Sequence, residues 1–201
     1  MTRIIGISGS LRAASLNSAL LRAAAASAPA GVEIEIASIL SIPLYNEDLE
    51  HAAFPSAVSA IKERLEVADG LLIVTPEYNH SIPGVLKNAM DWISRPPADI
   101  PKVFEGLPVA IIGATPGGFG TVLAQSAWLP VIAKLGMRPW FGMSLALSHA
   151  NDAFASDGRL VDSAAHERIQ QFVSSFAEFA GRAKRASIRR PELPAVLALA
   201  G

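Results

Sequence analysis

A chain of 201 residues, 51% hydrophobic and 17% charged, carries enough apolar material for one ordinary folded domain, which excludes general disorder. Its 17 basic and 18 acidic side chains leave a formal net charge of -1, so no global field draws it to nucleic acid and any phosphate binding must be local. The chain has no cysteine, which removes disulfides, thiolate nucleophiles, CxxC redox pairs and iron–sulfur ligation; redox chemistry would have to come from a bound cofactor.

Arg3–Ser8 (RIIGIS) is short, apolar and β-branched and reads as a buried strand. Asn17–Ala28 reads as a helix, with Leu16, Ala19, Leu20 and Ala23 on one face. Glu33–Ser38 alternates with period two and predicts an edge strand. A helix from about Phe54 to Val67 follows, with Val58, Ile61 and Leu65 at helical spacing. Leu71–Thr75 is apolar on both faces, hence a central third strand, and Val85–Ile93 reads as a helix. Val109–Ala114 is the fourth strand, Thr121–Leu135 a single helix, and Trp140–Leu145 the expected fifth strand. Asp162–Ala183 closes as a long amphipathic helix.

Five strands alternating with helices imply right-handed crossovers and a doubly wound parallel sheet covered on both faces. The apolar run Ile4–Ile7 is too short for a signal peptide. The charge-free stretch Leu107–Ala133 is broken by Pro108, Pro116-Gly117-Gly118, Gly120 and Pro130, so it reads as strand, loop and helix rather than a membrane span. Residues 1–185 are read as the domain and 186–201 as a tail. A basic stretch (Arg182, Lys184, Arg185, Arg189, Arg190) runs into PELPAVLALAG, which is read either as lacking fixed structure or as packing on a partner subunit.

In an open parallel sheet, ligands bind beyond the carboxyl ends of the strands where the strand order reverses, so the loops after strands one and three are the places to search. The first, GSLRAASLN (Gly9–Asn17), runs into a helix N-terminus whose free N–H groups favour an anion. Ser10, Ser15 and Asn17 add short donors, and Arg12 adds a guanidinium suited to phosphate. Ser15 or Asn17 would serve equally as a plain N-cap. The loop is neither a Walker loop nor a GxGxxG fingerprint, and strand two ends in Ile36-Ala37-Ser38 without a ribose-binding acid.

The third-strand loop is TPEYNHSIPGVLKNAMDW (Thr75–Trp92). Pro76 takes the chain out of the sheet, leaving the N–H groups of Glu77, Tyr78 and Asn79 to face a ligand's polar edge, with Tyr78 as a flat surface. After strand four, ATPGGFG permits close approach to a flat ligand at Gly117–Gly120. GISGS is not GxSxG, and His51, His80, His149 and His166 show no metal spacing. Lys87 and Asp91 read as an i,i+4 ion pair.

GSLRAASLN, LYNEDL (Leu44–Leu49) and TPEYNHSIPGVLKNAMDW together resemble the NADPH-dependent FMN reductase family, over about residues 3–183. The resemblance implies a flavodoxin-like sheet in the order 2-1-3-4-5, FMN as cofactor, and NADPH or NADH as hydride donor. It implies a ping-pong reduction of a small-molecule acceptor: a quinone, azo compound, metal oxyanion or free flavin. By the same resemblance Ser10, Arg12, Ser15 and Asn17 hold the FMN phosphate. Pro76, Glu77, Tyr78 and Asn79 border the isoalloxazine with Ser81 nearby, and the loop with Thr115, Gly117 and Gly118 flanks it from the other side.

The flavin itself carries the chemistry, so no catalytic side chain is assigned. A homodimer or homotetramer with flavin near the interface is implied, in the cytoplasm, with no nucleic-acid or membrane partner. Tyr45 and Asp48 are placed near the pocket, at a subunit contact or in a structural role; Trp140 is assigned to the core and Trp128 to core or interface. Two other readings stay open. One is a flavin reductase with loosely held FMN that feeds a monooxygenase. The other is a flavodoxin-like electron carrier or binding module without its own NAD(P)H oxidation, against which the near-zero net charge weighs, since carriers tend to be acidic.

Overall fold

The computed structural model describes residues 1–183; the tail 186–201 lies outside the described residues. Strands β1 (Thr2–Ser8), β2 (Val32–Ala37), β3 (Gly70–Val74) and β4 (Pro108–Ala114) form a parallel sheet in the order β2-β1-β3-β4. All five residues of β3 are buried, as a central strand with both faces covered requires, and β2 sits at the edge. The flavodoxin-like order expected from the sequence is therefore the order observed.

The strand pleat sends alternate residues into two cores. On one face Leu72, Val74, Ala110 and Ile112 pack under helices α1 (Leu16–Ala26) and, much later in the chain, α9 (Ser163–Arg182), against Leu20, Ala24, Phe172 and Phe176. On the other, Ile5, Ile7, Leu71 and Ile73 meet Val58, Ile61 and Leu65 of α3 (Ser56–Glu66) and Leu86 and Trp92 of α4 (Gly84–Ile93). Three short α-helices were not foreseen. The first, α2 (Glu47–Ala52), is capped by Asn46, whose side chain accepts from Asp48 N, and it carries three acids in its first turn. The second is α5 (Ile100–Val103).

The fifth strand and the helix before it differ from expectation. The single helix expected over Thr121–Leu135 is two, α6 (Val122–Ala127) and α7 (Leu129–Lys134), because Pro130 lacks an N–H and its ring clashes with the preceding turn. Trp128 at the junction is fully buried, which settles it in the core. In place of a strand over Trp140–Leu145, two short segments flank it. These are β5 (Arg138–Pro139) and β6 (Leu145–Leu147), both parallel on the free edge of β4. Trp140 is drawn inward instead, edge-on to Phe172 and tilted against Phe176 at centroid distances of 5.0 and 5.5 Å, and the chain loops out to Ser144. A final short helix, α8 (Ala150–Ala153), precedes α9.

Gly113 on β4 permits the tightest contact in the sheet, since a Cβ there would overlap Thr121 Oγ1 and the carbonyl oxygen of Thr75. The Gly113→Ala variant is expected to lose about 1–3 kcal/mol of stability, read as a lower urea midpoint at unchanged m-value.

Candidate active site

The loop after β1 is tied down at both ends. Gly9 N donates to Val74 O (2.8 Å), fastening the end of β1 to β3. At the other end Ser15, 2% exposed, is the N-cap of α1, its hydroxyl accepting from Ser18 N at 3.2 Å. Between them Arg12 is exposed, and among the described residues no carboxylate pairs with it. Ser10 is half-buried and, among the described residues, takes only a long 3.4 Å bond from Arg12 N. The first-turn N–H groups of Leu16 and Asn17 have no helical acceptor. A cavity of about 320 Å³ opens here, at the carboxyl ends of β1 and β2, lined by Ser8, Ser10, Arg12, Ser18, Arg22 and Ser38.

Asn17 has a different task from the one expected of its side chain. Its Oδ1 accepts from Ala114 N and its Nδ2 donates to Ala114 O, both at 2.9 Å and buried. Thr75 N donates to Ile112 O, so the next backbone groups of β4 on that side belong to Ala114. Pro76 has by then left the sheet, and the Asn17 amide takes the place of the missing strand residue. Any share Asn17 has in anion binding falls to its backbone N–H and its remaining amide hydrogen.

The loop after β3 is more ordered than a run of turn-formers implies. Thr75 is fully buried, its hydroxyl donating to Pro76 O and accepting from Trp128 Nε1 at 3.1 Å. Tyr78 and Ser81 exchange two backbone hydrogen bonds (3.1 and 3.0 Å) around Asn79 and His80, whose φ values are 51° and 60°. This is the geometry of a two-residue type I′ turn, in which Asn is favoured. The Tyr78 N–H, expected to face a ligand, is consumed by this turn, while those of Glu77 and Asn79 have no partner among the described residues. Pro76 is buried, and Tyr78, Asn79 and Ser81 are exposed. The Glu77 carboxylate turns away to α6, accepting from Leu123 N and Ala124 N.

The loop after β4 completes the rim. Thr115 N donates to Leu147 O and its hydroxyl accepts from Gly117 N at 3.3 Å, while Gly117 and Gly118 are exposed. His149, in the left-handed region at φ 49°, donates its N–H to Gly117 O, and its ring lies beside Gly118. Nothing in the spacing of the histidines signals that approach. Asn88 and Trp92 were quoted in the motif without a role. Asn88 accepts from Tyr45 N and donates to Pro43 O, and Trp92 Nε1 donates to the same Pro43 carbonyl. Tyr45 is thus a structural residue, and its hydroxyl bond to Glu50 holds the phenol above its usual range. Lys87 and Asp91 form the expected pair at 2.6 and 2.8 Å.

Among the described residues no three His, Asp or Glu side chains gather as a metal site. A larger cavity, about 640 Å³, lies between α1 and residues 157–163, beside the helices and away from the strand ends.

The model of the NADPH-dependent FMN reductase family matches residues 2–152. The chain belongs to that family. It is 48% identical over 169 residues to an NAD(P)H-dependent FMN reductase of Pseudomonas aeruginosa, covering 84% of this chain and 90% of the relative. It is 39% identical to a 2-hydroxy-1,4-benzoquinone reductase of a Burkholderia species, covering 87% and 94%. Among solved structures, the flavoenzyme NAD(P)H:(acceptor) oxidoreductase FerB of Paracoccus denitrificans superposes with a TM-score of 0.81 at 33% identity, covering 90% of this chain and 98% of that one.

For a member of the NADPH-dependent FMN reductase family, the residues present fit the cofactor. A guanidinium unpaired among the described residues, hydroxyls and first-turn N–H groups stand in the loop after β1, and N–H groups without a described partner and exposed glycines stand in the loops after β3 and β4, all beyond the carboxyl ends of the strands. The frame beneath them depends on Asn17. Each buried backbone group it leaves unpaired costs about 1–3 kcal/mol, so Asn17→Ala is expected to lower the stability of the flavin-free protein by about 2 kcal/mol or more. Asn17→Asp, which can still accept from Ala114 N but not donate to Ala114 O, is expected also to be destabilised. Urea unfolding checks both.

Proposed function

We propose that the protein is an NAD(P)H-dependent FMN reductase that passes reducing equivalents to quinones and related small acceptors. The observation that carries this reading is the pairing of an anion-binding loop after β1 with the two open-rimmed loops after β3 and β4. When bound, FMN supplies the redox centre that takes a hydride from NADPH or NADH and gives up its electrons to the acceptor.

The chain's own residues bind and orient. Arg12, Ser10, the Ser15 O–H hydrogen, which its cap bond from Ser18 N leaves free to donate, and the first turn of α1, which includes Asn17, hold the phosphate. Pro76, the N–H groups of Glu77 and Asn79, the Tyr78 ring and Ser81 border the isoalloxazine, while Thr115, Gly117 and Gly118 close the opposite side. Quinones are favoured as acceptors because a relative at 39% identity is named a benzoquinone reductase. The reductase names of the relatives also weigh against a carrier that oxidises no NAD(P)H.

We further read the enzyme as a cytoplasmic homodimer or homotetramer. Among the described residues no helix is long and apolar enough to cross a membrane. Val122, Leu129 and Phe141 expose apolar surface along a groove of about 230 Å³ at the β5–β6 edge, as a subunit contact would use.

The direct test is a visible spectrum with added FMN, followed anaerobically on addition of NADPH or NADH. Perturbed flavin bands that bleach at once support the reductase. Bands that shift and never bleach favour the carrier, and unperturbed bands at excess FMN contradict the reading. Arg12→Ala is expected to raise the FMN Kd by about tenfold to a hundredfold, the loss of a charge-assisted bond of about 1.5–3 kcal/mol. Its Tm should stay near that of the parent, because Arg12 is exposed and, among the described residues, unpaired.

A further inference from the structure

The charged side chain of the β3–α4 loop crosses to a different element. Glu77 Oε2 accepts from Leu123 N at 3.0 Å and Ala124 N at 3.1 Å, and Oε1 lies 3.3 Å from His80 Nδ1. The Glu77 side chain is 13% exposed and that of His80 is 81% exposed, so the contact that shields Glu77 is with α6. The two N–H groups are orphan donors of the first turn of α6. Its own N-cap residue, Thr121, makes no side-chain cap bond, and the Thr121 hydroxyl instead accepts from Gln125 Nε2. A carboxylate here makes charge-assisted bonds and complements the helix dipole.

The consequence lies in what α6 is joined to. It follows directly on the glycine loop after β4, so Glu77 ties the loop after β3 to the root of the loop after β4. The Trp128 Nε1 bond to Thr75 Oγ1 makes a second tie between the same elements. The loop after β4 is also held from its far side, by Thr115 N to Leu147 O and His149 N to Gly117 O. Among the described residues, however, only the Glu77 and Trp128 ties link it towards the loop after β3, and both loops present exposed residues, Tyr78 to Ser81 on one and Pro116 to Phe119 on the other. Exposed loops with few buried contacts open at low free-energy cost unless something fixes them.

We infer that Glu77 is a positioning residue. Its carboxylate sets the separation of the two loops that border the isoalloxazine, and only its backbone N–H faces the ring. The inference rests on the FMN reading above.

The test compares Glu77→Ala, Glu77→Asp and Glu77→Gln with the parent. Alanine removes the acceptor, aspartate withdraws it by one methylene, and glutamine keeps an oxygen in reach. In flavin-free protein, the Leu123 and Ala124 amides are expected to exchange faster in Glu77→Ala and Glu77→Asp. The FMN Kd of these two is expected to rise about tenfold or more, while Glu77→Gln stays within about threefold of the parent. Ile169→Val, on the buried face of α9, is the reference for general destabilisation and should keep the parental Kd.

The inference is overturned if the Leu123 and Ala124 amides are unaffected. It is equally overturned if Glu77→Ala binds FMN as tightly as the parent, or no worse than a destabilised core variant. If Glu77→Ala does not fold, Glu77→Asp decides by the same criteria. A parent that binds no FMN overturns the FMN reading and the positioning role together, and amide exchange still reports the tie itself. A parent that binds FMN beside an unaffected Glu77→Ala overturns the inference alone.

Discussion

The Asn17 side chain and the backbone of Ala114 exchange two hydrogen bonds in the interior, as neighbouring residues of a sheet do. The rest of the crevice is arranged around that pair. Pro76 takes β3 away from β4 so that a loop can leave the sheet and meet a ligand, and its departure strands two buried polar groups on β4. Asn17 satisfies both, and in doing so holds the first turn of α1 over the gap. The site that needs an open gap between strands and the helix N-terminus that needs a fixed place beside it are thereby met by one residue. A bond to water could satisfy either backbone group, but it would leave the helix unanchored.

Around this frame the loops divide their residues between holding and offering. Ser15, Thr75, Trp128, the Glu77 carboxylate, Asn88 and Trp92 are spent on internal bonds that fix loop to helix and helix to sheet. Arg12, Ser10, the Glu77 and Asn79 N–H groups and the glycines after β4 remain available at the surface. A rigid scaffold carrying a few uncommitted donors is what orientation of a flat, anionic cofactor requires, because ordering the protein on binding would weaken the complex. The hydride chemistry is the cofactor's; the protein's contribution is geometry and access.

The parallel sheet was legible because β3 is an uninterrupted apolar run, the pattern that burial on two faces imposes directly, and because the alternation of VEIEIA marks β2 as an edge strand, although its burial does not follow that alternation and Ile36 is exposed. The edge at β5 and β6 was not, because Trp140 is as compatible with a strand as with a core anchor. Only the presence of Phe172 and Phe176, more than thirty residues on, decides between them. Pro130 did signal the break between α6 and α7, and the reading of Thr121–Leu135 as a single helix passed over it. Motif spacing placed the loops that follow β1, β3 and β4, yet it could not show which side chains faced inward. Asn17 reads in sequence as a short side-chain donor and Glu77 as a backbone N–H at a ligand's edge, and neither reading reveals that their side chains bond to backbone groups 97 and about 46 residues away, a relation no local pattern encodes. His149 reaches the rim through a left-handed backbone conformation that its own type does not announce.

A crystal structure of the protein with FMN bound tests the central claim most directly. The account requires the phosphate at the N-terminus of α1 with Arg12 closing on it, and the isoalloxazine between the Glu77–Ser81 and Thr115–Gly118 loops, with the Asn17–Ala114 pair intact beneath. A phosphate seated elsewhere, for example in the larger cavity between α1 and residues 157–163, or a ring that contacts neither loop, would contradict it.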